Sequence, residues 1–274
     1  MQFGATLPHD DDVRTIVELG CEVEAAGWDG VFVWDGIDGN DPWVTLTAIA
    51  ARTERIKLGT MLTPVSRRRP WKLAQETATL DQISGGRVIL PVGLGAIETG
   101  FAGYGEELDR RRRAEMLDEG LDVLEGLWSG DEFSYDGEHY GIDGVTYTPI
   151  PVQQPRIPIW VVGAWPRTKS MKRVLRCDGL LPYKLDGTDS PTTPDDVRAM
   201  KAWVDARREA ATQFDIIWED DTPGDDPTAA AEIIASWAEA GVTWWLESVW
   251  KGPRARAGLE GIRERVRQGP VGRL

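Results

Sequence analysis

Two runs of arginine stand out among the residues able to do chemistry, Arg67-Arg68-Arg69 and Arg110–Arg113. Guanidinium groups make their strongest contacts with phosphate or carboxylate, through charge-assisted and often bidentate hydrogen bonds. Each run follows an apolar stretch and precedes a helical one. Both are therefore expected on one face of the fold, beside each other, holding an anionic ligand. The competing use is pairing with Glu98, Glu106, Glu107 and Asp109. Other familiar chemistries lack their residues. The chain has two histidines, His9 and His139, too few for a histidine metal cluster. No G-x-S-x-G nucleophile elbow is present. In a chain of net charge −14, any one pair of carboxylates is uninformative. An organic cofactor would supply the missing reactivity.

The elements that must position these groups alternate. Gln2–Leu7 reads as a strand ending at Pro8. The run from His9 to Asp12 then caps a helix that buries Val13, Ile16, Val17, Gly20 and Cys21 and stops before Gly27. Gly30–Trp34 is the second strand and Trp43–Ala51 the second helix. Ile56–Leu62 is the third strand. Pro70 opens the next helix, where its missing N–H costs nothing. Leu73, Ala74, Thr77 and Leu80 give that helix an apolar stripe, and Ser84-Gly85-Gly86 stops it. Val88–Leu94 is the fourth strand, so this stretch forms a parallel βαβ unit. A glycine-rich loop, 96–109, leads to a helix with Leu117, Leu121, Leu124 and Trp128 on one face. The segment 129–154 is long and polar and is an excursion from the repeat. Strands follow at Pro158–Val162, Asp178–Pro182, Phe214–Trp218 and Gly241–Leu246. Helices follow at Pro166–Arg176, Val197–Ala211, Ala229–Ala240 and near Pro253–Val266.

Eight strand–helix units close naturally as a (β/α)8 TIM barrel, for which 274 residues is an ordinary length. An open doubly wound sheet is the alternative, but G-x-G-x-x-G is absent after the first strand. No linker breaks the composition, so residues 1–274 are expected to form one domain. Two cysteines are no disulfide framework and suit a reducing compartment. MQFGATLP has neither the charged start nor the apolar core of a signal peptide. No apolar run approaches the roughly 20 residues of a membrane helix. A cytoplasmic protein is expected, with neither nucleic acid nor membrane as its partner.

In such barrels the chemistry lies at the carboxyl ends of the strands. Position alone then nominates Leu7-Pro8-His9, Asp35-Gly36, Thr60-Met61, Gly93–Gly95, Gly163-Ala164, Asp178-Gly179, Trp218 and Ser248. Gly163-Ala164-Trp165-Pro166 is expected to open a helix whose exposed N–H groups suit a phosphate. Thirteen tryptophans is a high count, and Trp34, Trp165, Trp218 and Trp250 are placed to line an aromatic cleft.

The order and spacing "LGT…TP…RRRP…LA…TLDQISGGRV…VGLG" over Leu58–Gly95 resemble the luciferase-like flavin-dependent monooxygenase family. "LDEGLDVLEGLW" (Leu117–Trp128), "GEHY" (Gly137–Tyr140), "QQPRIPIWVVG" (Gln153–Gly163) and "CDGLLP" (Cys177–Pro182) match in the same order. The resemblance implies a (β/α)8 barrel, commonly dimeric, that binds FMN or, in related branches, the deazaflavin coenzyme F420. It implies a cofactor site formed by Asp35, Thr60, Met61, Gly93, Gly95, Arg113, Gly163, Ala164, Asp178 and Gly179. Reduced FMN and O2 acting on a small organic substrate, with a flavin reductase as a partner, is the first function it suggests. F420-dependent hydride transfer is the alternative. Family members often have histidine after the aspartate of strand two, where this chain has Gly36. His9 is the candidate to replace that group, and a flavin-binding protein without catalysis is the reading of another class. His139, within GEHY, is expected to be structural.

Overall fold

In the computed structural model, the described residues are 1–209, 212–248 and 257–271. Their strands are β1 (Gln2–Leu7), β2 (Gly30–Val33), β3 (Lys57–Thr60), β4 (Thr63–Pro64), β5 (Leu90–Gly93), β6 (Glu132–Asp136), β7 (Gly141–Thr146), β8 (Ile159–Trp165), β9 (Gly179–Lys184), β10 (Asp215–Asp220) and β11 (Trp244–Glu247). The helices are α1 (Val13–Ala25), α2 (Pro42–Ala50), α3 (Pro70–Ser84), α4 (Arg110–Trp128), α5 (Thr168–Val174), α6 (Pro194–Asp205), α7 (Pro227–Glu239) and α8 (Gly258–Arg267).

Local chemistry sets most boundaries. Pro42, Pro70, Pro194 and Pro227 each stand at a helix start, and Asp12, Asp41, Asp109 and Asp226 accept from first-turn amides. Gly85 ends α3 in the left-handed conformation, φ 66°, which its missing Cβ permits.

The main sheet runs β3-β2-β1-β11-β10-β9-β8-β5-β4, and all its pairings are parallel. Its two edges, β3 and β4, are halves of one strand interrupted at the cis Met61–Leu62 peptide. Leu58 N–H donates to Arg87 O at 3.0 Å and Ile89 N–H to Leu58 O at 2.9 Å, so the ring closes there. Counted that way the sheet is an eight-stranded TIM barrel, as expected. The excursion after α4 is an antiparallel hairpin of β6 and β7.

Two apolar cores result. The larger packs the helices on the outer face of the barrel. The smaller fills the inside with Phe32, Ile89, Trp160, Leu181, Ile217, Trp244 and Leu246. Phe32 stacks on Trp160 at 5.5 Å, and Trp244 meets Trp160 edge-on at 5.3 Å. Rings this large need small neighbours. A Cβ at Gly4 would lie 2.7 Å from Leu246, and one at Gly30 2.9 Å from both Phe32 and Trp244.

Several boundaries differ from the sequence reading. The fifth barrel strand runs on to Trp165, so the helix after it begins at Thr168 rather than Pro166 and has 7 residues. The sixth begins at Gly179 and reaches Lys184. The helix expected to reach Ala211 ends at Asp205, and Ala211 lies outside the described residues. The start expected at Pro253 also lies outside them. No described helix is long and apolar enough to cross a membrane.

Candidate functional site at the carboxyl ends of the strands

Strand alternation decides what faces the barrel mouth. Gly4 points inward against Phe32 and Leu246, so Thr6, two residues on, also points inward above the aromatic floor. The same count from Trp244 and Leu246 brings Ser248 in, and from Trp160 and Val162 it brings Ala164 in. Ala5 pairs with Glu247, so Thr6 and Ser248 sit one rung further along the same pair of strands. Thr6 is 3% and Ser248 1% exposed, yet neither hydroxyl has a hydrogen-bond partner among the described residues. Buried polar atoms are rarely left so, and two on adjacent strands mark a place for a polar ligand edge. Met61, Leu62 and Val162, partly buried, form the apolar upper layer.

His9 joins this rim. Its side chain is 14% exposed, its Nδ1 is buried without a partner, and its Nε2 lies 3.6 Å from Asp38 Oδ1. A Cβ at Gly36 would fall 2.5 Å from both His9 Cδ2 and Cε1 and closer still to Nε2. The imidazole of His9 thus fills the volume a side chain at position 36 would need. Separation in sequence hides this contact, because the whole of α1 lies between the two residues.

The arginines are placed otherwise than expected. Arg67 donates to Asp35 Oδ1 at 2.5 Å and to Gly36 O at 2.9 Å. Arg68 donates to both Asp35 oxygens, at 3.1 and 3.0 Å, and also pairs with Glu76. Asp35 is wholly buried, and a lone carboxylate there would be costly without these partners. Burial pushes its pKa up, with Arg68 and then Arg67 pulling against that. Arg67 and Arg68 are therefore committed to Asp35 rather than to an anionic ligand. Arg69 lies over the Trp71 ring. In the second cluster Arg111 pairs with Glu115 and Arg112 with Glu107. Arg113 is buried and donates to Leu94 O at 2.6 Å and Gly95 O at 3.1 Å. The two clusters do meet: Arg67 and Arg113 both pack on Phe101, 5.5 and 5.8 Å from the ring centre.

Of the remaining candidates, Thr60 is buried, and its hydroxyl is 2.8 Å from that of Thr63. Gly93 is inward, with Leu62 2.8 Å from where its Cβ would be. Gly95 adopts φ 73° against Phe101 and Pro64, a turn that glycine favours. Gly163 faces outward, toward Leu180 and Met171. Gly163 and Ala164 lie in β8, paired with Pro182 and Tyr183, and Ala164 N–H already donates to Ser170 Oγ at 2.9 Å. They open no helix themselves, and the next one begins at Thr168.

Asp178 and Gly179 are at the wrong end. Asp178 precedes β9, where its Oδ2 accepts Ile159 N–H at 2.9 Å and binds Arg156. That is the amino-terminal face, a place for stability rather than chemistry. Trp218 also turns away, stacking at 3.8 Å on Trp237 of α7. Trp165 packs on the outer core, Trp34 lies 6.4 Å from His9, and Trp250 falls outside the described residues. Thr6 escaped the sequence reading, although counting in twos from Gly4 would have found it.

The model of the luciferase-like monooxygenase family matches residues 1–243. An F420-dependent glucose-6-phosphate dehydrogenase of Rhodococcus hoagii is 34% identical over 166 residues, covering 56% of this chain and 48% of that enzyme. This chain thus matches about half the length of that relative. Among solved structures, the coenzyme F420-dependent tetrahydromethanopterin reductase of Methanopyrus kandleri superposes with a TM-score of 0.77 at 19% identity, covering 98% of both chains. The oxygenating constituent of 3,6-diketocamphane monooxygenase of Pseudomonas putida, solved with FMN, gives 0.70 at 16%, covering 100% of this chain and 99% of that one. At such identities these two structures speak for the fold.

Proposed function

The chain belongs to the luciferase-like monooxygenase family of flavin- and F420-dependent oxidoreductases, and on that premise we propose that it binds coenzyme F420 and exchanges a hydride with a small neutral alcohol or carbonyl compound. One observation carries the choice of cofactor: the 34% identity over 166 residues is to an F420-dependent dehydrogenase. The residues of the mouth fit a planar heteroaromatic ring. Its face would rest on the apolar layer of Met61, Leu62 and Val162, and its polar edge would meet the orphaned hydroxyls of Thr6 and Ser248. When bound, the deazaflavin supplies the carbon that gives or takes the hydride.

The chain's own groups bind, orient and manage the proton. The aromatic floor excludes water from below. Gly93 lets Leu62 close over that floor. His9 Nδ1, buried and unpartnered, holds the proton that the substrate oxygen gains or loses. Asp35, Thr60, Gly95 and Arg113 shape the rim from behind rather than touching the ring. With Arg67, Arg68 and Arg113 committed to Asp35 and to backbone carbonyls, the rim favours a neutral substrate over a phosphorylated one. A homodimer in the cytoplasm is the expected working form.

The second reading is the FMN monooxygenase, using O2 and a flavin reductase. The water-excluding floor favours it, since reactive oxygen chemistry needs a dry site. Titration of the tryptophan fluorescence with F420 and with FMN in separate anaerobic experiments tests both. Quenching by F420 alone, followed by substrate-dependent cofactor reduction, supports the first reading. Quenching by FMN alone overturns it. Binding without turnover across alcohols and carbonyls leaves the non-catalytic flavin-binding protein, and no binding of either ring sinks all three.

A further inference from the structure

We propose that Glu115, Glu138 and His139 bind a divalent metal ion of the zinc class on the outer flank of the barrel, where the β6–β7 hairpin docks on α4. One oxygen of each carboxylate and one imidazole nitrogen lie within 4.8 Å of one another. His139 Nε2 is 3.7 Å from Glu115 Oε2. A tetrahedral ion with bonds of about 2.0–2.1 Å holds its ligand atoms about 3.4 Å apart, so a small side-chain adjustment completes the site.

A second observation points to a ligand. His139 Nε2 is fully buried and makes no hydrogen bond among the described residues, although it faces a carboxylate. At 3.7 Å the Glu115 carboxylate is beyond hydrogen-bond reach of that nitrogen, and a cation between the two would satisfy both.

The site is also held in place by groups behind it. The Glu119 carboxylate accepts three successive amides, from Glu138 at 2.8 Å, His139 at 2.9 Å and Tyr140 at 3.0 Å. This clamps the turn onto α4, and Gly137 gives it the room, since a Cβ there would lie 2.7 Å from Glu119 Cδ. Arg111 Nε binds Glu115 Oε1 at 2.8 Å and leaves Oε2 directed at the imidazole. Such supporting contacts orient ligands in metal sites generally. One nitrogen and two carboxylate oxygens suit zinc, cobalt or manganese, and the absence of thiolate disfavours copper(I). Glu138 is exposed, so water completes the shell. The ion would pin the hairpin to the helix and take no part in the hydride chemistry. The bland alternative is an ion pair of protonated His139 with Glu115.

The test uses the full chain without a histidine tag, stripped by chelator and dialysed against zinc chloride. One zinc per chain is expected, with an affinity at least about tenfold weaker in Glu138→Gln and in His139→Ala. Cobalt(II) should give visible absorption in the wild type that both variants lose. Glu138 is exposed, so its variant stays folded and decides alone if the histidine variant does not. No zinc retained at micromolar concentration, or equal binding by wild type and Glu138→Gln, would overturn the proposal.

Discussion

Substituting Gly36 with alanine separates the geometric reading of His9 from coincidence. The new Cβ would lie 2.5 Å from two carbons of the His9 ring, where ordinary contact begins at 3.4 Å. The ring must therefore retreat by more than about 1 Å or swing out. Misplacing a catalytic group by that much costs on the order of 10²-fold in rate. Stability should change little, because His9 is at the rim and can move into solvent. The loss should be under about 1 kcal/mol, or about 2 °C in Tm for a chain of this length. The chain has two histidines, so its imidazole NMR spectrum contains two spin systems, which His139→Ala assigns. Gly36→Ala should shift the His9 signals, leave those of His139, and slow turnover. His9→Ala should slow turnover by about 10²- to 10⁴-fold. The double variant should be no slower than His9→Ala, because both changes act through one ring. Multiplicative losses in the double variant, or unchanged His9 signals in Gly36→Ala, would refute the reasoning.

Three further outcomes are expected. Glu247 and Arg265, 3% and 1% exposed, form a buried pair with Thr222, so Glu247→Ala should cost about 3–5 kcal/mol by stranding the guanidinium. For this length that is a fall in Tm of about 5–9 °C. Pairing Glu247→Leu with Arg265→Met should recover most of it, and calorimetry reads both. Asp178→Asn should lower stability by about 1–3 kcal/mol by weakening the tie to Arg156 and Ile159. Cofactor affinity should stay unchanged in that variant, and a large loss would put Asp178 back in the site. Burial pushes the Cys177 thiol up to about 12 from an ordinary 9.0, and the Tyr140 phenol to about 12 from 10.0. The native state keeps these protons when the unfolded chain releases them, so stability should fall as pH rises above about 9. Denaturant midpoints that stay flat from pH 8 to pH 11 would contradict this.

The sequence alone determined what local physics can write. Proline at helix starts, aspartate caps, the glycine after α3 and apolar strand runs are each read over a few residues. Together they were enough for an eightfold barrel and, through the resemblance at Leu58–Gly95, for its family. It also placed Ser248 and His9 near the mouth, because both follow strand ends. The tertiary structure decided everything that depends on which groups meet across the ring. Asp35 captures two arginines that the sequence offers to a ligand, because a buried carboxylate finds partners 32 and 33 residues away. Gly163-Ala164 extends a strand because β9 continues beside it, and Asp178 sits at the far end because its carboxylate staples β8 to β9. The room that Gly36 leaves for His9 is likewise invisible in a linear reading. Spacing along a chain fixes the face on which a residue lies within its own element; which neighbour fills the space opposite is settled only when the barrel closes.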